Sequence, residues 1–371
     1  MTPARPPGTR HVGLTLDARP ASVAWPSDAP GVDLLPVDRV RTGVLDAVGD
    51  TPLVAVTGFL DDPAVRLYVK LEAANPGGSA KDRPAAAMIE RAIADGAITR
   101  STVVVESTSG NTGIGLAQAC RYYDLRCILV VDERARPQNV AIMRALGAEI
   151  DVVATPTDPG VDLLAARLAR VAALVAAFDD VHWPDQYSNP ANPRAHAMGT
   201  MAEIDAALDG DVDVVFVAVS STGTLGGCLD HIRGRGLPTR VVAVDAYGSV
   251  LFGGTRAPRI IPGLGAGQLP ALAHGRAVER LVRVSDLDCV VGCRRLAHTD
   301  ALLVGGSAGG VLQAVRGMQA ELAGQRCVVI AADSGHRYLD TVFDDGWVER
   351  TLGCPPDRLA ELVGPVTTAR L

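Results

Sequence analysis

No stretch of this chain approaches the roughly 18 consecutive apolar residues that a membrane span needs, although 48% of its residues are hydrophobic. Charged residues are spread throughout, so the sequence reads as a soluble globular protein with a sizeable core. Positive charge is lacking too: the formal net charge is −7 and the pI near 5.5, whereas nucleic-acid binders usually carry a basic face. Neither nucleic acid nor membrane is expected as a partner, which leaves a small molecule. The seven cysteines (Cys120, Cys127, Cys228, Cys289, Cys293, Cys327 and Cys354) are odd in number and lack a framework spacing. Most sit in apolar stretches such as CILVV and RCVVIAA, which argues against a disulfide scaffold and for reduced thiols in a cytoplasmic protein. Cys289 and Cys293 have neither a second pair nor a nearby His–x–His, so no metal is expected. The first forty residues lack the apolar core of a secretory signal and any sustained period, and read as an extended arm. No internal repeat or low-complexity tract is evident.

What is present begins with length. At 371 residues the chain exceeds the roughly 250–300 at which a single core stops growing, so two lobes are expected. From about Leu45 onward, short β-branched runs alternate with helical patterns: 101–107, 127–132, 149–154, 213–220, 239–246, 302–306 and 326–333. Continuous apolar runs joined by crossover helices are the mark of buried parallel strands, which predicts an α/β protein. Residues 101–154 and 213–333 make two such sets. Between them lies DQYSNPANP (185–193), whose Asn-Pro steps disfavour helix and suggest a hinge-like crossing.

Four segments carry chemistry. NPGGSAKDR (75–83) places Lys81 at the start of an apolar-faced helix, where desolvation would disfavour the ammonium, as a Schiff-base nucleophile requires. A solvated surface lysine is the plain alternative. ESTSGNTG (106–113) follows a strand and precedes a helix, a turn with enough hydroxyls and N–H groups to cradle a carboxylate. Simple capping by Ser109 or Asn111 would need only one such residue. SSTGTLGG (220–227) is an anion nest after an apolar strand, suited to a phosphate without a lysine. It is not a Walker loop, and no G-x-G-x-x-G follows the first strand. GGSAGG (305–310) matches the nucleophile elbow of serine hydrolases, with Asp333 and His336 in a permissible order. Those two lie only three residues apart on one turn, whereas a triad needs the acid to reach the far side of the imidazole from the serine.

Taken in this order, the segments resemble the cysteine synthase/cystathionine β-synthase family of pyridoxal-phosphate enzymes. GDTPLV (49–54), QYSNPANP (186–193), PGLGAG (262–267) and DSGHRYLDT (333–341) add to the likeness, which covers about Leu45 to Val348. The resemblance implies fold type II, tryptophan synthase β-like, with two lobes that each hold a mainly parallel sheet flanked by helices. It also implies an arm over 1–40, a smaller lobe over 88–185, a larger cofactor lobe from 41–87 plus 186–350, a tail over 351–371, and a homodimer. By resemblance, Lys81 carries pyridoxal 5′-phosphate, Asn111 bonds its 3′-oxygen, Ser220, Ser221, Thr222, Gly223 and Thr224 hold its phosphate, and Ser307 meets its ring nitrogen. Thr108, Ser109, Thr112 and Gln186 would receive the substrate carboxylate, with Tyr187, Gly265 and Arg167 further substrate contacts. A serine at the ring nitrogen makes the cofactor a weaker electron sink, favouring prompt loss of a β-substituent.

This chain departs from the family pattern in its Ser220–Thr224 loop, usually Gly-Thr-Gly-Gly-Thr, and in Tyr187, usually Phe. No haem-binding Cys–His pair stands in the arm and no C-terminal regulatory domain follows, which disfavours a full-length cystathionine β-synthase. VDAYGSVLFGG (244–254) and VGCRRL (291–296) look like the branch that joins O-phospho-L-serine to L-glutamate through an α-aminoacrylate, on the way to 2,3-diaminopropionate for siderophores or peptide antibiotics. The alternative is cysteine synthase, using O-acetylserine or O-phosphoserine and sulfide. A catalytically silent binding protein is a third reading, opposed by the intact Lys81, Asn111 and Ser307. Ser220, Tyr187 and Arg167 are the candidates for the leaving phosphate, and Arg256 and Arg259 for a wider, cationic acceptor entrance.

Overall fold

The computed structural model describes residues 40–155 and 163–365, and all of its helices and strands lie in the compact unit that begins at Thr42. The expected arm over 1–40 thus lies outside the described residues, its last residue excepted. The chain opens with β1 (Leu53–Val56) and β2 (Arg66–Leu71), then α1 (Asp82–Ala94), β3 (Val103–Ser107), α2 (Asn111–Tyr122), β4 (Arg126–Asp132), α3 (Pro137–Ala145) and β5 (Glu149–Val153). It continues with α4 (Leu163–Ala177), β6 (Val181–His182), α5 (Ala191–Ala195), a π-helical turn over His196–Met201, α6 (Ala202–Ala207), β7 (Val214–Ala218), α7 (Gly223–Arg235) and β8 (Arg240–Ala246). The remainder is β9 (Arg280–Val284), α8 (Asp286–Asp300), α9 (Gly306–Gly317), β10 (Arg326–Ala331), α10 (Asp345–Leu352) and α11 (Pro356–Val363).

Two sheets form. One is six-stranded in the order β1-β2-β10-β7-β8-β9, parallel except for the β1–β2 pair. The other is four-stranded and wholly parallel, in the order β5-β4-β3-β6. Alternation along each central strand feeds two cores: on β7, Val214 and Phe216 face one layer of helices while Val215 and Val217 face the other. On β3 and β4, Val104 and Leu129 oppose Val105 and Val130 in the same way. Both faces are covered, which is why these strands read as unbroken apolar runs. The first helix packs with the smaller sheet, since Ala85, Met88 and Ile89 share a core with Leu116 and Leu129. Among the described residues no helix is long and apolar enough to cross a membrane.

Three expectations change. LLVGG (302–306) is not a strand: Val304 makes a single bridge to Ser334, and the chain turns into α9 at Gly306. A Cβ on Gly305 would fall 1.9 Å from Asp333 Oδ1, so this backbone is pressed against a carboxylate instead of a neighbouring strand. The second Asn-Pro step of 185–193 lies inside a helix, because Pro193 sits in the first turn of α5, where a missing N–H leaves no bond unmade. Strands β1, β2, β6 and β9 were not anticipated: β1 is a run of only four apolar residues, and β2, β6 and β9 are interrupted by polar residues such as Lys70, His182, Arg280 and Arg283. Within 351–371, α11 buries Leu359 and Val363 in the larger core.

Helices α8 and α9 touch backbone to backbone. A Cβ on Gly292 would lie 2.0 Å from the Gly309 carbonyl oxygen, and one on Gly309 would lie 2.1 Å from that of Cys289. Neither carbonyl can swing aside as a side chain could. Gly292→Ala is therefore expected to cost about 3 kcal/mol, the upper range for overpacking. Thermal denaturation should show a Tm several degrees lower, and an unchanged Tm would mean the helices separate freely.

Candidate active site

The turns after β3, β7 and β10 all leave the carboxyl ends of parallel strands, where open α/β sheets place their ligands. They converge on a cavity of about 680 Å3 whose floor includes Lys81. Lys81 is the N-cap of α1. Its approach is pinned by Ala80 N–H donating to the Ala332 carbonyl (2.8 Å) and Lys81 N–H to Ser79 Oγ (3.2 Å). Asp82 accepts from Gly77 N–H, and Gly78 holds a left-handed φ of 82°. Desolvation lowers the Lys81 ammonium from its usual range, outweighing the attraction of Asp333 and Glu72.

Composition offers a signal that the motif reading passed over: the chain has only two lysines, Lys70 and Lys81. Lys70 is buried, with its ammonium held by the Thr51 carbonyl (2.5 Å) and Glu203 (2.6 Å). Lys81 is thus the one amine side chain at the cavity.

Beneath Lys81 a smaller recess of about 40 Å3 is walled by Ser220, Ser221, Thr222, Gly223 and Thr224. Thr222 adopts a left-handed φ of 65° at the N-cap of α7, and its buried hydroxyl has no hydrogen-bond partner. Thr224 is bonded to His196 Nε2 (3.2 Å), which burial keeps neutral by holding its pKa well below the usual value. Across the cavity, Ser307 stands in the first turn of α9, its hydroxyl with no hydrogen bond among the described residues. Asn111 begins α2, giving one amide N–H to Asp333 Oδ2 (2.8 Å) and accepting from Arg337. Its second N–H is left for a ligand. Asp333 also accepts from the Tyr338 hydroxyl (2.6 Å), while its buried Oδ1 has no partner. With Asp333 so engaged, and His336 bonded to Ser334 (2.6 Å), no hydrolase triad assembles around Ser307.

Thr108, Ser109, Thr112, Gln186 and Tyr187 line the same cavity, and the Thr112 hydroxyl donates to Gln186 Oε1 (2.7 Å). Arg167 reaches it from α4, 3.3 Å from both Ser109 Oγ and Asp132. Gly265 does not reach it. Of its loop, Pro262 and Gly263 face the cavity, while the Gly265 N–H is spent on the Val219 carbonyl (2.6 Å). Nor does Arg259 supply the cationic entrance: its guanidinium bonds the Leu264 carbonyl (3.0 Å) and lies near Asp245. Arg134, Arg136 and Arg337 line the cavity instead, on the β4–α3 loop and the 333–341 turn. Only the second of these segments carries a motif legible in the sequence.

A family model described as pyridoxal-phosphate dependent enzyme matches residues 44–333. The chain belongs to that family. This pyridoxal-phosphate dependent enzyme is 40% identical over 312 residues to a Ralstonia nicotianae protein named N-(2-amino-2-carboxyethyl)-L-glutamate synthase, covering 84% of this chain and 92% of the other. In structure it is similar to the O-acetylserine dependent cystathionine β-synthase of Helicobacter pylori, with TM-score 0.75 and 32% identity over 82% of this chain and 98% of that one. It is similar as well to the cysteine synthase of Entamoeba histolytica, with TM-score 0.78 and 29% identity over 90% and 98%. The fold is type II of the pyridoxal-phosphate enzymes, and the cofactor is pyridoxal 5′-phosphate.

The cavity's residues fit that cofactor. The recess beside Lys81 offers hydroxyls, the orphaned Thr222 Oγ1 among them, and the N-terminus of a 13-residue helix, a suitable setting for a phosphate. The uncommitted hydroxyl of Ser307 suits an unprotonated ring nitrogen.

Proposed function

We propose that the enzyme catalyses β-replacement on O-phospho-L-serine with L-glutamate as the amine acceptor, giving N-(2-amino-2-carboxyethyl)-L-glutamate and phosphate for 2,3-diaminopropionate synthesis. The observation that carries this is the 40% identity to a synthase of that name across most of both chains. An arginine-lined cavity suits substrates that bring a phosphate ester and three carboxylates.

In this reading Lys81 holds the cofactor, Ser220 to Thr224 its phosphate, Asn111 its 3′-oxygen and Ser307 its nitrogen. When bound, pyridoxal phosphate withdraws electrons from the substrate's α-carbon, easing loss of the α-proton and then of the β-substituent. Lys81 Nζ takes that proton and later returns it. The Cβ–O bond to phosphate breaks, a Cβ–N bond to glutamate forms, and the glutamate amine gives up one proton. Thr108, Ser109 and Thr112 orient the serine carboxylate with Gln186. Tyr187, Ser220 and Arg167 face the departing phosphate. Arg134 takes a carboxylate of glutamate. Closure of the 88–185 lobe over the 41–87 and 186–350 lobe would exclude water from the reactive carbon. A cytoplasmic homodimer completes the proposal; seven free, buried thiols accord with a reducing compartment.

Mass spectrometry of the product tests it. Purified enzyme given O-phospho-L-serine with L-glutamate should release phosphate and the amine-linked adduct, and sulfide should be the poorer acceptor. Rapid cysteine formation without adduct would make the enzyme a sulfhydrylase.

A further inference from the structure

Glu106 is the one charged residue of β3, and it is 1% exposed. A carboxylate so placed is costly unless donors surround it. Three do: the N–H of Ser107 (2.8 Å), Nε1 of Trp183 (3.1 Å) and the N–H of Gln186 (3.2 Å). Two of these donors come from the segment that follows β6. The β3–β6 ladder pairs only Val103 with Val181 and Val104 with His182, then stops. Beyond that point the Glu106 side chain makes the connection that backbone pairing no longer makes. Gln186, held this way through its N–H, accepts the Thr112 hydroxyl at 2.7 Å. Glu106 therefore closes a loop whose two ends, Thr112 and Gln186, line the cavity while it does not itself reach it.

We infer that Glu106 is a positioning residue for the amino-acid substrate: it fixes segment 183–187 against turn 108–112, and so sets the gap into which the substrate carboxylate fits. This rests on the proposed function only for the identity of the first substrate. Burial pushes the Glu106 carboxyl up to about 7, Asp185 adds to the rise, and the three N–H donors oppose it. The other titratable groups that feel its charge are Tyr187, which also feels Arg167 of α4, and Cys127 of β4, whose thiol lies beside the free Cys120 thiol of α2. Below that pH the neutral acid turns an O–H toward a ring of N–H donors and loses at least one of them. Substrate affinity should then fall on the acid side.

The test uses the cofactor-loaded enzyme and two probes, L-serine and O-phospho-L-serine, with binding read from the change in the cofactor's visible band between pH 5.5 and 8.5. Glu106→Gln should weaken L-serine binding about tenfold, the worth of one hydrogen bond to a charged group. It should also flatten the acid limb relative to wild type and leave kcat at saturating substrate within about threefold. Titration of substrate groups is common to both enzymes and cancels in that comparison. Should Glu106→Gln not fold, Trp183→Phe keeps the carboxylate and removes one donor, so the acid limb should move to higher pH. Unchanged affinity and an unchanged limb in whichever variant folds, even with lowered thermal stability, would overturn the inference. Failure of wild type to turn over O-phospho-L-serine would overturn the proposed substrate, while L-serine binding would still decide the role of Glu106.

Discussion

Lys81→Ala is expected to lower turnover by roughly 10⁴-fold, the upper range for removing a positioned acid–base group, and to abolish the visible band of lysine-linked cofactor. No other residue can substitute, because the remaining lysine, Lys70, is locked between the Thr51 carbonyl and Glu203. The fold should be untouched. In the cofactor-free protein burial disfavours the Lys81 ammonium, so its removal relieves a desolvation cost and should not lower the Tm of that form. Phosphate release and absorbance, measured beside a melting curve, separate loss of chemistry from loss of structure. A variant that retained the band and a rate within tenfold of wild type would remove Lys81 from the mechanism.

Arg134→Gln should raise the KM for glutamate about tenfold, as expected for one charge-assisted contact in a partly screened cleft, while the KM for O-phospho-L-serine stays within about twofold. The arginines of the cavity differ in what they already hold. Arg136 reaches Thr341 and Asp340, Arg167 reaches Ser109 and Asp132, and Arg337 reaches Asn111 and the Gly77 carbonyl. The Arg134 guanidinium has no such bond among the described residues; only its backbone N–H is used, on Asp132 (2.9 Å). It is exposed on the β4–α3 loop, open to a distal carboxylate. Preference for glutamate over glutamine should narrow in the variant and shrink in wild type at high salt. Equal rises in both KM values would show that Arg134 acts on the cleft as a whole, not on the acceptor.

Much of the architecture was legible from local pattern. A buried parallel strand is apolar along its whole length, so VVFVA and VVAV announced themselves, and each glycine- and hydroxyl-rich turn after such a run marked a ligand-facing strand end. That sufficed for the α/β fold and for the turns that line the cavity; the cofactor followed from the family resemblance those turns carry together. Edge strands β6 and β9 gave no comparable signal, and LLVGG imitated one, because an apolar run says nothing of what lies beside it.

The amino-acid sequence by itself determined the strand–turn–helix units, which depend on residues close together in the chain, and through their order the family; it also singled out Lys81 as the candidate for the cofactor's lysine. Tertiary structure alone decided which arginines face the cavity: Arg259 turns to the Leu264 carbonyl, while Arg134 and Arg136 come from a loop that no motif marked. It alone paired Asn111 with Asp333, 222 residues apart, and gave Glu106 its three donors. A side chain's chemistry is written in the sequence, but its neighbours are chosen by how the two sheets bring distant strand ends together.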